Sequence, residues 1–357
     1  MKIGVLGAGQ LGRMLALAGI PLGLEFVFYD NKPNSCTASL GKSIIADYDD
    51  IDQLTCFAGL VDVITFEFEN VPVSAVEYLE KKCPVNPAVM ALRVSQDRLL
   101  EKQLFTELNI PTPDYFAIGS ANQLHEVASQ YQKDLIIKTR RFGYDGKGQA
   151  RLTAPEQAEV IVSDLAQADL IAEQCIEFER EVSIIATRSV DEVRFYPLVE
   201  NVHQQGILIS TTPYNDVNLQ KQAEQHALAL MSKLDYIGTI AVEYFVVDGQ
   251  LIANEFAPRV HNSGHWTIDA AVTSQFENHL RAILDWPLGD TQASAPFMMF
   301  NLIGELPEQS KLLSIKDAHL HDYDKTPAAK RKLGHLTLCH PDEKRIKQIQ
   351  ELIAETG

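Results

Sequence analysis

Short apolar runs alternate with segments of helical periodicity over the first hundred residues. The runs "KIGVLGAG", "LEFVFYD" and "VDVITFEFEN" predict buried strands, and "LGRMLALAG" and "VSAVEYLEKK" predict helices. Two more helical stretches follow, the second capped by Ser95, before the proline-containing "NIPTPDY" ends the pattern. Because strands that alternate with helices form a parallel sheet covered by helices, residues 1–112 predict an N-terminal α/β domain.

The rest of the chain predicts two α+β domains. Residues 113–178 combine the helix "ANQLHEVASQY", the strands "DLIIKTR" and "LIAEQ", and a glycine-rich loop. Residues 179–357 have longer strands and a helix over about residues 218–234. The pair Asp248-Gly249 in "AVEYFVVDGQLIANEFAPR" is a strong hairpin signal. We therefore expect a small α+β domain and then a larger antiparallel α+β domain.

Composition and charge exclude several classes of protein. In 357 residues no apolar run approaches the roughly 18 to 20 residues that cross a bilayer, so no membrane span is expected. The net charge of −17 disfavours nucleic acid and anionic membranes as partners. Five widely spaced cysteines, and a start without a signal-peptide pattern, favour a reducing cytoplasm.

A glycine turn follows the first predicted strand. Gly7, Gly9 and Gly12 stand in the G-x-G-x-x-G order of a dinucleotide-binding turn, and Asp30 ends the next strand. Alone, this pattern indicates an NAD-dependent dehydrogenase. A purely structural tight turn is an alternative, and so is a site where backbone N–H groups and the helix dipole hold another anion.

A second glycine-rich segment, "IIKTRRFGYDGKGQ", follows a predicted strand that ends at Lys138. Glycines at this density let backbone N–H groups close on phosphate oxygens, and lysines supply positive charge. The G-K-[ST] ending of a Walker loop is absent. From spacing alone, a phosphate-binding loop and a flexible hairpin loop remain equally open.

The hairpin around Asp248-Gly249 places a glutamate in each strand. Carboxylates among apolar strand residues are costly unless something binds them, and paired oxygens suit Mg²⁺. A two-residue turn would pair Val247 with Gln250 and put Glu243 and Glu255 on opposite faces. A three-residue turn, or a bulge with Gly249 left-handed, would put both on one face, so a metal pair requires an odd-numbered or bulged loop; otherwise one glutamate faces solvent. The polar run "PRVHNSGHW" that follows suits an anion site, although single histidines are often structural.

The segments "KTRRFGYDGKGQ" and "NEFAPRVHNSGHW" resemble the ATP-grasp superfamily. Together with "GAGQLGRM", "TFEFENV", "DRLLEKQLF", "YPLVENVHQQGIL" and "RKLGHLTL", they resemble its ATP-dependent aminoimidazole ribonucleotide carboxylases of purine biosynthesis over essentially the whole chain. The resemblance implies an ATP-grasp architecture with a Rossmann-like N-terminal domain, a small lid domain and a larger C-terminal domain. It also implies ATP and Mg²⁺ as cofactors, bicarbonate and aminoimidazole ribonucleotide as substrates, and a homodimer.

The resemblance also assigns roles to individual residues. Arg98 and Lys138 would bind ATP, beneath a lid over the triphosphate formed by Gly143, Tyr144, Asp145, Gly146, Lys147, Gly148 and Gln149. The adenine would meet the hinge of Glu173, Gln174, Cys175 and Ile176, and the ribose would meet Glu181, with His203 and Asn254 also at the nucleotide. Glu243 and Glu255 would hold the metal.

The remaining assigned residues concern the small substrates. Arg259, His261 and Asn262 would hold bicarbonate and its phosphorylated form, and Asp145 or His261 would assist proton transfer. The ribonucleotide would face Tyr144, Asp145, Glu69, Arg331 and Lys332, with Gln10 and Leu11 at its phosphate end. Two departures stand out: Ala257 replaces the Asn common after the second metal glutamate, and Ala328 replaces a common arginine, for which Lys330 substitutes less directionally.

Three other functions are compatible with parts of this pattern. A formate-using ribonucleotide transformylase would share the ATP half of the site. A dehydrogenase would use only the N-terminal turn, and a non-catalytic ATP-binding regulator would release no ADP. The chain as a whole predicts an ATP-dependent carboxylase that forms carboxyphosphate from bicarbonate.

Overall fold

The computed structural model describes residues 1–33, 36–141, 143, 148–165 and 169–355. Three β-sheets follow one another along these residues. The strands of the first sheet are β1 (Lys2–Leu6), β2 (Glu25–Asp30), β3 (Lys42–Ile45) and β4 (Val63–Phe66). They are parallel and lie in the order β3-β2-β1-β4, as the alternating pattern predicted.

Five helices accompany the first sheet. They are α1 (Gln10–Gly19), α2 (Ile51–Ala58), α3 (Val73–Leu79), α4 (Val89–Ser95) and α5 (Arg98–Glu107). The predicted cap Ser95 is wrong, because Ser95 ends α4 and Asp97 caps α5. The Asp97 carboxylate accepts a hydrogen bond of 3.1 Å from the N–H of Leu99. The long helical pattern therefore contains a break at Gln96 that periodicity alone does not reveal.

The second sheet is antiparallel and small. Its strands are β5 (Tyr115–Ile118), β6 (Leu135–Thr139), β7 (Gln149–Leu152) and β8 (Leu170–Gln174), in the order β5-β8-β6-β7. Helices α6 (Ala121–Tyr131) and α7 (Ala158–Leu165) pack their apolar residues against one face. The glycine-rich segment connects β6 to β7, so it is the loop of a hairpin.

The third sheet has nine strands, all paired antiparallel. They are β9 (Arg180–Arg188), β10 (Val193–Phe195), β11 (Val199–Gln204), β12 (Ile207–Pro213), β13 (Gly238–Val247), β14 (Gln250–Ala257), β15 (Phe297–Ile303), β16 (Ala318–Asp322) and β17 (Lys332–Cys339). Their order is β14-β13-β9-β11-β12-β15-β17-β16, and β10 pairs with β9. The edge strand β14 therefore lies at one end of the sheet.

Five more helices accompany the third sheet. They are α8 (Val217–Lys233), α9 (Thr267–Ala270), α10 (Gln275–Ile283), α11 (Gln309–Leu313) and α12 (Glu343–Ala354). Helix α8 buries its apolar face on β9, β13 and β14, and helices α4 and α5 contribute to the same core. Helix α1 of the N-terminal part packs on α10. Within the described part of the chain, no helix combines the length and apolar character of a bilayer span.

The mixed α/β and α+β fold class is confirmed. The predicted boundaries at residues 112 and 178 fall between the sheets, which span residues 2–66, 115–174 and 180–339. These boundaries stay a prediction, because membership of a sheet does not define which segments fold as one unit.

Candidate active site

The two glutamates of the β13–β14 hairpin lie on one face of the sheet. The turn has two residues, Asp248 and Gly249, whose φ angles of 49° and 70° suit a type I′ turn. On its own this turn would separate the carboxylates. A bulge between Glu243 and Tyr244 shifts the register, so that Glu243 pairs directly with Glu255 and Asn254 is the extra residue. The expected odd-numbered or bulged loop is thus wrong, and a bulge within β14 brings the two carboxylates to one face instead.

The charges around this pair suit a cation. Burial, and next the charge of Glu255, raise the pKa of Glu243 to about 7. His261 Nε2 lies 3.5 Å from a carboxylate oxygen of Glu243, and Arg98 lies 3.6 Å from one of Glu255. A divalent cation between the carboxylates would relieve their repulsion, and carboxylate oxygens are ligands that Mg²⁺ prefers. The residues therefore fit a magnesium ion.

A buried network of charges joins the predicted phosphate lysine to the predicted hinge. Lys138 Nζ lies 3.0 Å from Glu173 Oε2, and the buried Lys102 lies 3.5 Å from the same atom. Burial alone would raise the pKa of Glu173, but the charges of Lys102 and Lys138 outweigh it and hold that pKa at about 2. The hinge carboxylate is therefore ionised and fixes Lys138.

The hinge backbone leaves one amide available. The N–H of Gln174 donates to Asp114 O at 2.8 Å, and that of Cys175 to Asp134 O at 2.9 Å. Among the described residues, the N–H of Ile176 has no acceptor. An adenine edge needs such a donor, so the hinge is suited to its predicted role.

The described parts of the glycine-rich loop lie beside these groups. Gly143 O accepts a hydrogen bond of 2.9 Å from Arg98, and the N–H of Thr139 donates to Gly148 O at 2.9 Å. Gly148 has a φ of +70° and leaves no room for a side chain, since a Cβ would lie 2.8 Å from Thr139 Oγ1. Gln149 pairs with Lys138. The predicted residues Tyr144, Asp145, Gly146 and Lys147 lie outside the described residues.

Glu181 and His203 contact one another, 2.6 Å apart, on the adjacent strands β9 and β11. Burial would lower the pKa of His203, but its contact with the Glu181 carboxylate, which accepts from the ring, and the charge of Glu243 outweigh burial and raise that pKa. The two predicted nucleotide residues therefore form an ion pair close to Glu243.

Two of the predicted anion residues, Arg259 and His261, differ in charge. Arg259 pairs with Glu69, which is predicted to face the ribonucleotide. Burial would raise the pKa of Glu69, but the guanidinium of Arg259 outweighs it and lowers that pKa. Burial first, and then the charges of Arg259 and Lys332, hold the pKa of His261 well below its ordinary value. His261 is therefore neutral beside a fixed guanidinium.

The side chain of Asn262 is committed to other residues. It exchanges two hydrogen bonds of 2.9 and 3.0 Å with Asn301, and its remaining N–H faces His265 Nδ1 at 3.1 Å. Asn301 also donates to Leu208 O, which fixes the orientation of both amides. The predicted contact of this side chain with bicarbonate therefore has no donor left, and only the backbone of Asn262 is available.

The N-terminal glycine turn binds an anion that belongs to the protein itself. The N–H groups of Gly9, Leu11 and Gly12 donate to the buried carboxylate of Glu67 at 2.7, 3.1 and 3.0 Å. Asp30 accepts a hydrogen bond of 3.0 Å from the N–H of Ala8. The hypothesis that this turn holds the ribonucleotide's phosphate, with Gln10 and Leu11 lining the site, is thus corrected for the amides of Gly9, Leu11 and Gly12, which Glu67 occupies.

The remaining predicted substrate residues surround one loop. Gln10 Oε1 accepts a hydrogen bond from Lys325. Lys325 also donates to the backbone oxygen of Lys332 at 3.4 Å, and Arg331 donates to Thr326 O at 2.9 Å. Gln10 and the 325–332 segment are thus brought together, which their distance in sequence did not reveal.

Several residues of the site were missed from the sequence. Lys102 belongs to a helix whose pattern indicates a solvated polar face, yet it is fully buried. Glu67 follows the strand "VITF" directly, and that position was its only signal. Lys325 stands outside every motif.

Three family models match consecutive segments of the chain. They are the ribonucleotide synthetase preATP-grasp domain over residues 1–96, the ATP-grasp domain over residues 103–276, and the phosphoribosylaminoimidazole carboxylase C-terminal domain over residues 298–349. The fold, the site and these matches define an ATP-grasp enzyme, an ATP-dependent ligase.

The N5-carboxyaminoimidazole ribonucleotide synthase of Pseudomonas aeruginosa is 46% identical over 99% of both chains. The chain belongs to the N5-carboxyaminoimidazole ribonucleotide synthase family. The crystal structure of the synthetase from Thermus thermophilus is 45% identical, covers 98% of both chains and has a TM-score of 0.94. The synthase of Aspergillus clavatus in complex with ADP and 5-aminoimidazole ribonucleotide is 28% identical over 99% of this chain and 98% of that one, with a TM-score of 0.91. The dehydrogenase, transformylase and regulator alternatives find no support in these matches.

Proposed function

We propose that the chain catalyses the ATP-dependent carboxylation of 5-aminoimidazole ribonucleotide by bicarbonate. The products are N5-carboxyaminoimidazole ribonucleotide, ADP and phosphate, in de novo purine biosynthesis. The observation that carries this proposal is the bulged hairpin, which sets Glu243 opposite Glu255 within 3.5 Å of His261 and beside the Arg259–Glu69 pair. Metal, nucleotide and small-acid groups thus meet at one place.

The side chains of the nucleotide half of the site carry charges, and neighbouring residues hold them in place. In this proposal Lys138, fixed by Glu173, faces the phosphates together with Arg98 and the glycine-rich loop, and Gly146 and Lys147, outside the described residues, keep the role that the resemblance implies. The ribose hydroxyls lie at Glu181, with His203 and Asn254 close by. Glu243 and Glu255 would hold Mg²⁺, which offsets the charge of the triphosphate when bound.

Bicarbonate is placed by a guanidinium and a neutral imidazole. Ser183 Oγ donates to Ser263 Oγ at 2.7 Å, so the hydroxyl of Ser263 donates in turn to His261 Nδ1 at 2.9 Å. The N–H of Ser263 also donates to Nδ1, at 3.3 Å. This network leaves the ring proton of His261 on Nε2, where it donates to an oxygen of bicarbonate. The guanidinium of Arg259 supplies the positive charge that pairs with the bicarbonate anion.

The reaction then proceeds by phosphoryl transfer and amine attack. A bicarbonate oxygen attacks the γ-phosphorus, which forms carboxyphosphate and releases ADP. Carboxyphosphate breaks down to CO₂ and inorganic phosphate. The exocyclic amine of the ribonucleotide attacks the carbon of CO₂, and the new carbamate forms as the amine nitrogen gives up a proton. Because His261 Nε2 already carries a proton, the acceptor is another group, and Asp145 is our candidate.

The ribonucleotide lies between Glu69 and the loop that carries Arg331 and Lys332. Tyr144 and Gln10 complete this side in our proposal. Lys325 contacts Gln10, and it is our candidate for the cation that the chain lacks where Ala328 replaces a common arginine. We also propose a homodimer in the cytoplasm, three domains divided near residues 112 and 178, and no nucleic acid or membrane partner.

The test is ADP release from Mg-ATP, with bicarbonate and aminoimidazole ribonucleotide varied separately. We expect ADP formation that requires bicarbonate and rises on addition of the ribonucleotide. Turnover with formate and glycinamide ribonucleotide, but not with this pair, would contradict the proposal. Glu255→Gln should lower both ADP formation and the affinity for Mn²⁺, a spectroscopic probe of the magnesium site.

A further inference from the structure

The outer edge of strand β14 is covered by side chains and one backbone carbonyl from residues 101–112. The N–H of Ala253 donates to Pro111 O at 2.7 Å, and its carbonyl accepts from Thr112 Oγ1 at 2.9 Å. Lys102 Nζ donates to Asn254 O and lies 3.4 Å from Ala253 O. Glu101 Oε1 accepts a hydrogen bond of 2.7 Å from the N–H of Phe256.

The spacing of the residues that make these contacts shows the bulge directly. In a regular antiparallel strand, every second residue turns both its N–H and its C=O to the same edge. Ala253 does so here, and without a bulge Glu255 would be the next. Instead, the N–H that reaches Glu101 belongs to Phe256, because the extra residue Asn254 shifts the alternation.

Lys102 and Glu101 therefore bond the strand on either side of the shift. Lys102 reaches the carbonyls before it, and Glu101 reaches the amide after it. An unbulged strand would turn the groups of Glu255 towards Glu101 and would return the two hairpin glutamates to opposite faces. Both side chains are 1–2% exposed, a costly position for charged groups without specific partners.

We propose that Glu101 and Lys102 are positioning residues that hold the bulge at Asn254 and thereby keep Glu243 and Glu255 together for the metal. This inference rests on the proposed metal role of that pair. Glu101 is the sharper probe, because Lys102 also contacts Glu173 of the nucleotide hinge. Burial raises the pKa of Glu101 to about 8, so glutamine is a close substitute that keeps the acceptor oxygen.

The experiment measures Mn²⁺ binding by electron paramagnetic resonance in the presence of a non-hydrolysable ATP analogue. The variants are Glu101→Leu, which removes the acceptor, and Glu101→Gln, which keeps it. We expect Glu101→Leu to weaken Mn²⁺ binding by about tenfold or more, and Glu101→Gln to retain the wild-type affinity. The concentration of Mg²⁺ that half-saturates ADP release should rise in parallel.

Leu104→Ala is the matched control, because Leu104 lies on the same helix and packs in the apolar core, and its side chain has no group that can hydrogen-bond the edge of β14. We expect it to lower the melting temperature and to leave Mn²⁺ affinity unchanged. If Glu101→Leu fails to fold, Lys102→Met and Thr112→Val remove other contacts of the same edge, and the same weakening is expected.

Two results would overturn the inference: a folded Glu101→Leu protein with wild-type Mn²⁺ affinity, or a Glu101→Gln protein as weak as Glu101→Leu. A separate failure is visible in Glu255→Gln. If that protein binds Mn²⁺ like the wild type, the proposed metal pair itself is wrong. Weak binding by Glu255→Gln with normal binding by Glu101→Leu would confine the failure to the positioning role.

Discussion

At the scale of single residues, the site consists of charges that hold one another. Arg259 pairs with Glu69, Lys138 with Glu173, and Glu181 with His203. Each pair contains a residue that faces a predicted ligand, and the opposite charge of the partner keeps the pair ionised. The motifs predicted one member of most of these pairs, but the partner followed only from the fold.

The Arg259–Glu69 pair yields a prediction for stability. Glu69→Gln removes the counter-charge of a guanidinium whose side chain is only 15% exposed. We expect a loss on the order of 2 kcal/mol in the free energy of unfolding, less than for a fully buried pair because Glu69 is 29% exposed. Urea denaturation measures it. We also expect a higher KM for bicarbonate, since Arg259 loses its fixed orientation.

The control for this substitution is Glu77→Gln, which removes the partner of Arg93. Both of those side chains are more than 40% exposed. We expect a change within about 0.5 kcal/mol and an unaltered KM. Equal losses in the two variants would show that burial of the Arg259 pair has no special weight.

At the scale of elements, the β13–β14 hairpin shows where prediction from the sequence ends. The Asp248-Gly249 pair predicts a hairpin, and the two-residue turn found there would on its own separate the two glutamates. The bulge that reunites them depends on contacts with α5, about 150 residues earlier in the chain. Local patterns predict turns and strands, whereas a bulge set by distant side chains leaves no local signal.

The two hairpin glycines allow a matched test of the phosphate loop. Gly148 and Gly249 both have a φ of +70°, so alanine at either position costs about 1–2 kcal/mol of backbone strain. Only at Gly148 would the new Cβ clash, at 2.8 Å from Thr139 Oγ1, next to Lys138; at Gly249 no atom of the described residues lies within 4 Å. We expect Gly148→Ala to raise the KM for ATP about tenfold or more, through displacement of the loop.

Gly249→Ala should leave that KM unchanged while lowering stability by a similar amount. Initial-rate kinetics and thermal melts of both proteins are sufficient to check this. A shared rise in KM would attribute the effect to general destabilisation and not to the phosphate loop.

At the scale of the whole molecule, the order of sheets and the family were both accessible from the sequence. The group bound by the N-terminal turn was not accessible, because the Glu67 carboxylate that accepts hydrogen bonds from its amides lies 55 residues beyond Gly12. The same applies to Lys325, which contacts Gln10 across 315 residues. Such contacts depend on how the sheets are arranged against one another, and no local period records that arrangement.

His279 of α10 joins two of the sheets and makes their union sensitive to pH. Its Nε2 lies 2.9 Å from Thr65 Oγ1 of β4, and its Nδ1 accepts from the N–H of Thr239 in β13 at 3.0 Å. Burial lowers the pKa of His279 to about 3. The unfolded chain binds a proton near pH 6.5 and the folded chain does not, so stability falls as pH drops below 6.5.

Between pH 7.5 and pH 5 this one residue should cost about 2 kcal/mol of the free energy of unfolding. His279→Asn keeps an acceptor for Thr239 but cannot titrate, so it should be less stable at neutral pH and lose that share of the acid sensitivity. Urea denaturation of both proteins across this range measures the two slopes. Since burial also lowers the pKa of His261, His265 and His335, part of the wild-type slope should persist in the variant. Parallel slopes would mean that protonation of His279 does not control the junction of the two sheets.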